Sequence, residues 1–352
     1  MKRELIENMF IVLLFVLGTT VTQAYAENFT VDSKGGGNYS SIQEAVNNAH
    51  TGDTINVNPG VYNENIVVDK ELTIISNPAS LASSTDRTYV IGAVSEKDVF
   101  DVNSNNVKID GFYIIGGPSG AERDEVGINV EGVENCSLSN NGLVLNNIGI
   151  SLNGSKTNYL DNNMVSLGKK GITLVNSNEN ILTNNTVTTN SDGISLNNSM
   201  NNTLFNNIAD ANMNGIYLGM SQGNIFTYNL IMRNINGLNV EVARSNLMVN
   251  NSIFLNNVGI NLTGSSENSI YENQFVNLLD AVDDGMNSWN STSKGNLWKN
   301  YTGQDVDGNG IGDAPYVINQ MTGSIDYLPI IKKNPQENES GNTAGNSSES
   351  SI

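Results

Sequence analysis

The sequence predicts an all-β protein, a single-stranded right-handed parallel β-helix with 22-residue coils, an N-terminal helical cap and a non-repeat C-terminal cap. Three observations predict it. Glycines recur at 127, 149, 171, 193, 215, 237 and 259, every interval being 22 residues. Each is followed by an apolar residue and, two further on, by another (Ile150 and Leu152, Ile172 and Leu174), the i, i+2 spacing of one strand face. Two more apolar columns share the interval, Leu138 to Ile270 and Leu143 to Phe275, with Asn columns beside them at 158 to 268 and 141 to 273.

The two apolar columns lie five residues apart, an odd number, so the strand phase breaks between them and the chain must turn a corner there. A coil that stacks on copies of itself adds one strand spacing, about 4.8 Å, per turn. Identical residues then form ladders, and Asn amides in a column can bond to the Asn above. The repeated Gly is expected to admit a tight corner with positive φ.

Taken in order, residues 1–26 read as a secretory signal: Lys2 and Arg3, an apolar run from Met9 to Leu17, then Ala24-Tyr25-Ala26. No later run is long enough to span a bilayer. Residues 27–126 hold a short helix from Ser41 to about Ala49, strands around Ile55, Ile66 and Leu72, and the first irregular coils. Residues 127–281 are the regular coils. In 282–331 the repeat gives way to a C-terminal cap with an Asp-rich loop, and 332–352 is an Asn-, Ser-, Glu- and Gly-rich tail of disordered composition.

The net charge of −19, with only 17 Lys and Arg, excludes a nucleic-acid groove, which needs clustered cations. A lone Cys136 allows no internal disulfide. Divalent cations or neutral glycans suit this acidic surface better.

Beyond the repeat, the segment "SIQEAVNNAHTGDTINVNPGVYNENIVVDKELTIIS" and the ending "GNLWKNYTGQDVDGNGIGDAPYVI…IDYLPI" resemble the NosD-like periplasmic copper-binding β-helix family, within the pectin-lyase-like group, and also methanogen cell-surface proteins. The resemblance runs from about Phe29 to Ile331. It implies an extracytoplasmic β-helix and, in some members, copper handling for nitrous oxide reductase maturation. Copper favours His, Cys and Met clusters; here the only His is His50, the only Cys is Cys136, and Met213, Met220 and Met232 share no phase.

Three sets of residues are candidate sites. The first is a polar strip beside the Gly-Ile strand, Ser151, Thr173, Ser195, Tyr217 and Asn239, expected to bind an envelope or extracellular polysaccharide without catalysis. The second is "GAERDEVG", where Glu122, Arg123, Asp124 and Glu125 cluster on a loop and would serve a polysaccharide lyase, hydrolase or epimerase. Within the regular coils, acids that share a column lie four or five coils apart, roughly 20 Å, so no stacked dyad arises; Glu134 instead lies under Lys156, and Lys170 under Asp192. The third is "DVDGNGIGD", where Asp305, Asp307, Asn309, the Ile311 carbonyl and Asp313 fall at alternating positions around Gly310, the pattern of an oxygen-rich calcium loop. Asp326 is the expected remaining calcium ligand, with a structural role for the ion. An outward apolar column, Tyr159, Ile181, Ile225 and Leu247, is a candidate partner face.

Overall fold

The computed structural model describes residues 26–77, 87–94, 97–116 and 125–332. The signal segment up to Tyr25, the loop residues Glu122, Arg123 and Asp124, and the tail beyond Lys332 lie outside them. Among the described residues the chain winds into a parallel β-helix of three sheets, two of 11 strands and one of 10. Each regular coil contributes two three-residue strands and one six-residue strand, as in Tyr159–Asp161, Met164–Ser166 and Lys170–Val175.

Strand register reproduces the columns of the repeat. Leu160 pairs with Leu182, Val165 with Val187, and Ile172 and Leu174 with Ile194 and Leu196. These side chains fill the interior, nearly all at 0% exposure, so one apolar core runs the length of the helix. The strands before Gly127 join the same sheets: Phe100–Val102 pairs with Val126–Glu131.

Between strands, the corners are made by residues in the left-handed region. Asn140, Asn162, Asn184, Asn206 and Asn250 take φ of 53 to 56° in one column, and Leu145, Leu167, Thr189 and Ala211 take φ of 56 to 62° in the next. Asn tolerates that region, which explains its recurrence there. The repeated glycines behave differently from expectation: none of the seven spaced at 22 residues has a positive φ. A Cβ at these positions would instead meet the backbone carbonyl of the next coil, at 2.4 Å for Gly171 and Gly237. Close approach of stacked backbones, and not corner geometry, demands glycine there.

Inside the corners run the Asn ladders. In a typical rung the backbone N–H and Nδ2 of Asn185 both donate to Oδ1 of Asn207, at 2.9 and 3.0 Å, while Nδ2 also donates to the Leu160 carbonyl at 2.9 Å. Every polar atom of the amide is thereby used, which lets it sit at 0% exposure. A third Asn ladder (Asn190, Asn212, Asn234, Asn256) and a Ser ladder (Ser155, Ser177, Ser199, Ser221) do the same at the remaining corners.

Helix α1, Ile42–Asn48, lies against the first coil through Ile42, Ala45 and Val46. The Ser41 hydroxyl accepts from the Glu44 N–H, and the Glu64 carboxylate of the neighbouring segment accepts from the Ile42 and Gln43 N–H groups and the Ser41 hydroxyl. At the other end, Phe275, Trp298 and Tyr316 stack, with Trp289 against both Phe275 and Trp298. An antiparallel pair, Tyr316–Asn319 with Ser324–Asp326, follows.

Asp280 sits at this end with Oδ1 accepting from Asn277, while Oδ2 is buried without a partner. Burial pushes its carboxyl above the ordinary value, against the Asn277 hydrogen bonds and the charge of Lys299. Between the ordinary value and the raised one, the folded chain keeps a proton that the unfolded chain has released. Stability from this group is therefore present in acid and lost as pH rises through the folded value. Asp280→Asn should match the wild-type unfolding midpoint near pH 4 and exceed it at neutral pH, by ~2 °C. Equal midpoints across the titration would contradict this.

Candidate functional site

On the outer face of the six-residue strands, the predicted strip is uneven. Ser151, Thr173 and Ser195 are only 9%, 3% and 3% exposed. A short side chain with a rung above and below at strand spacing has little surface left, so these three offer a ligand almost nothing. The strip opens at Tyr217. Its hydroxyl donates to Glu241 Oε2 at 3.0 Å, Asn239 Nδ2 donates to Glu241 Oε1 at 3.0 Å, and Asn261 Nδ2 donates to Asn239 Oδ1 at 3.1 Å. Desolvation, then the Glu241 contact, pushes the Tyr217 phenol up to about 12, so it stays a neutral donor.

Sequence reasoning placed Tyr159 and Ile181 on an outward column and missed the aromatic residues beside it. On the face of the sheet containing Tyr159–Asp161, the rings of Tyr159 and Phe205 are each 41% exposed, with Tyr228 at 57%. Phe205 and Tyr228 meet edge to face at 5.7 Å. Beside them runs an outer amide ladder: Asn206 Nδ2 donates to Asn184 Oδ1, and Asn184 Nδ2 donates to Asp161, which also accepts from Thr183. Tyr159 and Phe205 stand two coils apart, about 9.6 Å along the axis. The face thus joins exposed rings to amide donors and acceptors, with the Asp161 carboxylate at one end. Phe205 and Tyr228 escaped notice because they belong to different columns, one ending a strand and one at a left-handed corner.

Several acids of the regular coils are engaged by a neighbouring side chain. Glu134 bonds Lys156 at 3.1 Å, Asp210 pairs with Arg233, and Asp192 accepts from Asn214. Glu125, expected on an open loop, is buried at the entry to its strand. A depression of about 430 Å³ beside the last coil is lined by Gln274, Leu297, Lys299, Tyr301 and Lys332 among others, with no acid in its described lining.

The Asp-rich loop folds on itself. Asp305 Oδ2 accepts from the Gly310 N–H, Asp307 from Asn309, Asn309 from the Ile311 N–H, and Asp313 from the Val306 N–H. Asp305 Oδ1 is buried and unpartnered. Asp326 does not complete this loop, a correction to the expected ligand set: it is 0% exposed, with Oδ2 taken by the Asn296 N–H and Trp298 Nε1 and Oδ1 by the Leu328 N–H. The nearby Trp and Asn donors claim it first. No group of three or more His, Cys, Asp or Glu that could hold a metal occurs among the described residues.

Copper fares no better on geometry. Cys136 is 1% exposed, its thiol donates to the Ser104 carbonyl, and burial pushes it up, away from the thiolate a metal needs. His50 follows α1, in a different coil, beside Asp53. Met200 accepts from Gln222 Nε2. These residues do not form a copper donor set.

A parallel β-helix with ladder-lined corners and side chains displayed on its outer faces defines a β-solenoid. Residues 103–303, more than half of the chain, match the family described as "Periplasmic copper-binding protein (NosD)", and the chain belongs to that family. A cell surface glycoprotein of Methanothermus fervidus is 38% identical over 105 residues, 29% of this chain and 15% of that protein. The chain thus spans a small part of the relative it matches. Among solved structures, the enzymatically active domain of bacteriophage CBA120 tailspike protein 2 superposes with a TM-score of 0.54 at 14% identity, covering 73% of this chain and 44% of that one. Pectate lyase Pel9A superposes with a TM-score of 0.51 at 14% identity, covering 74% and 78%. At such identities the likeness concerns the fold alone.

Proposed function

We propose that the protein is an extracytoplasmic binding module for envelope glycans that acts without catalysis. The observation that carries this is the exposed ring face, Tyr159, Phe205 and Tyr228 beside the Asn184 and Asn206 amides. Sugar rings present apolar C–H faces and a rim of hydroxyls, so they stack on aromatic rings and exchange hydrogen bonds with carboxamides. A solenoid displays such contacts along its axis, Tyr159 two coils from Phe205, which suits a linear polymer. The family's periplasmic description, the cell-surface relative and the signal-like first residues support the location. Engagement of Glu134, Asp192 and Asp210 by neighbouring side chains supports binding over lysis or epimerisation. Tyr217 and Asn239 form a second, smaller contact region on the neighbouring face.

Affinity electrophoresis through gels containing xylan, glucomannan or polygalacturonate tests the proposal. Retardation by at least one polymer is expected, reduced about tenfold or more in apparent affinity by Phe205→Ala with Tyr228→Ala, and less by Tyr217→Ala. Free migration in every gel would sink the idea.

Structural calcium at Asp305, Asp307, Asn309, Ile311 and Asp313 is a separate proposal, motivated by the unpartnered Asp305 oxygen. If it holds, excess Ca²⁺ raises the unfolding midpoint, chelator reverses this, and Asp307→Ala abolishes the response. A wild-type midpoint indifferent to both additions makes the loop a plain turn.

A further inference from the structure

We propose that Asp280, Asp283 and Asp326 terminate coil stacking, each closing one asparagine ladder with the acceptor oxygen that a further coil would otherwise supply. All three Asn ladders point the same way. In every rung the donors, backbone N–H and Nδ2, belong to the earlier coil and the accepting Oδ1 to the later one. The last Asn of each ladder is therefore left with donors facing the C-terminal end. Buried donors without acceptors are costly, so a finite helix of this design needs an acceptor at each of three places.

The structure supplies an aspartate at all three. Asn277 donates through N and Nδ2 to Asp280 Oδ1 at 2.7 and 3.2 Å, close to the geometry of an ordinary rung. Asn296 donates through N to Asp326 Oδ2 at 2.7 Å, where Trp298 Nε1 also converges. Asn287 donates through Nδ2 to Asp283 Oδ1 at 2.8 Å, with Trp289 Nε1 on the other oxygen. These aspartates are 4%, 0% and 1% exposed.

Their origins in sequence are unrelated. Asp280 lies three residues after its partner, Asp283 four before, and Asp326 thirty after. The same chemistry thus appears three times by three local routes. The 22-residue period slips at these last rungs as well, to 21, 19 and 23 residues. Coil number is then set by where an aspartate can fold back onto the final amide, since the repeat itself contains nothing that limits its length.

Hydrogen exchange of single backbone amides in the full chain tests this. Asp280→Ala should speed exchange of the Asn277 N–H, and Asp326→Ala that of the Asn296 N–H, each by roughly 30-fold, while the Asn207 N–H in mid-helix stays protected. Asp210→Ala, at a surface aspartate, should change none of them. Asp280→Asn keeps an accepting oxygen and should retain wild-type protection at Asn277, which also serves if the alanine variants do not fold. Unchanged exchange in the folded alanine variants, or protection lost in Asp280→Asn, overturns the proposal.

Discussion

Asn207→Ala should destabilise the protein by roughly 3 kcal/mol or more. The wild-type Oδ1 accepts from the Asn185 N–H at 2.9 Å and from Asn185 Nδ2 at 3.0 Å, and Asn207 Nδ2 donates to Asn229 Oδ1 at 3.1 Å and to the Leu182 carbonyl at 2.9 Å. Alanine keeps only the backbone bonds, its N–H to Asn229 and its carbonyl accepting from the Leu230 N–H. Two donors on Asn185 are stranded in a corner that is 0% exposed, and the Leu182 carbonyl loses its Nδ2 partner. Each stranded group costs about 1–3 kcal/mol, and coupling along the ladder adds to this. Asn207→Asp should be no milder, because it sets a carboxylate against the Asn229 and Leu182 oxygens. Urea unfolding is the check, and a midpoint within error of the wild type would show that the ladders carry little of the stability.

Gly237→Ala is the second large effect, at about 2–3 kcal/mol. The added Cβ would lie 2.4 Å from the Gly259 carbonyl oxygen and 3.0 Å from Asn256 Nδ2. Neither can yield without parting two coils, since the carbonyl is backbone and the amide is a ladder rung. Gly154 provides the contrast. It has φ of 60° and nothing within 4 Å of a Cβ, and the equivalent corners one and two coils on are Asn176 and Asn198. Gly154→Asn should therefore be nearly neutral. A calorimetric midpoint that falls equally for both variants would show that the close-approach account is wrong.

The regular coils were legible because their signal repeats: seven glycines at one interval, with apolar partners of fixed parity, specify register as well as strand. The same spacing contained the third Asn ladder and the Ser ladder, but Gly168 and Ala243 interrupt those columns and hid them. The role of the repeated glycine was not legible, since a positive φ and a close backbone approach both ask for the smallest residue. On the candidate face, the parity of Tyr159 and Ile181 could be read directly. The neighbouring ring pair could not, because Phe205 stands in a mixed column (Ser139, Asp161, Thr183, Thr227, Val249, Tyr271) and Tyr228 is a departure from a column of Asn. The Asp-rich loop was recognisable as a pattern, whereas the partners of Asp326 were not, since Asn296 and Trp298 lie about thirty residues away in a segment without repeat.

Hydroxyl-radical footprinting of side chains tests the central claim most directly, with the full chain alone and saturated with whichever polysaccharide retards it. The account predicts that Tyr159, Phe205 and Tyr228 lose reactivity together on binding, while Tyr327, exposed at the far C-terminal end, keeps it. Undiminished labelling of all three rings at saturation, with protection appearing elsewhere, would contradict it.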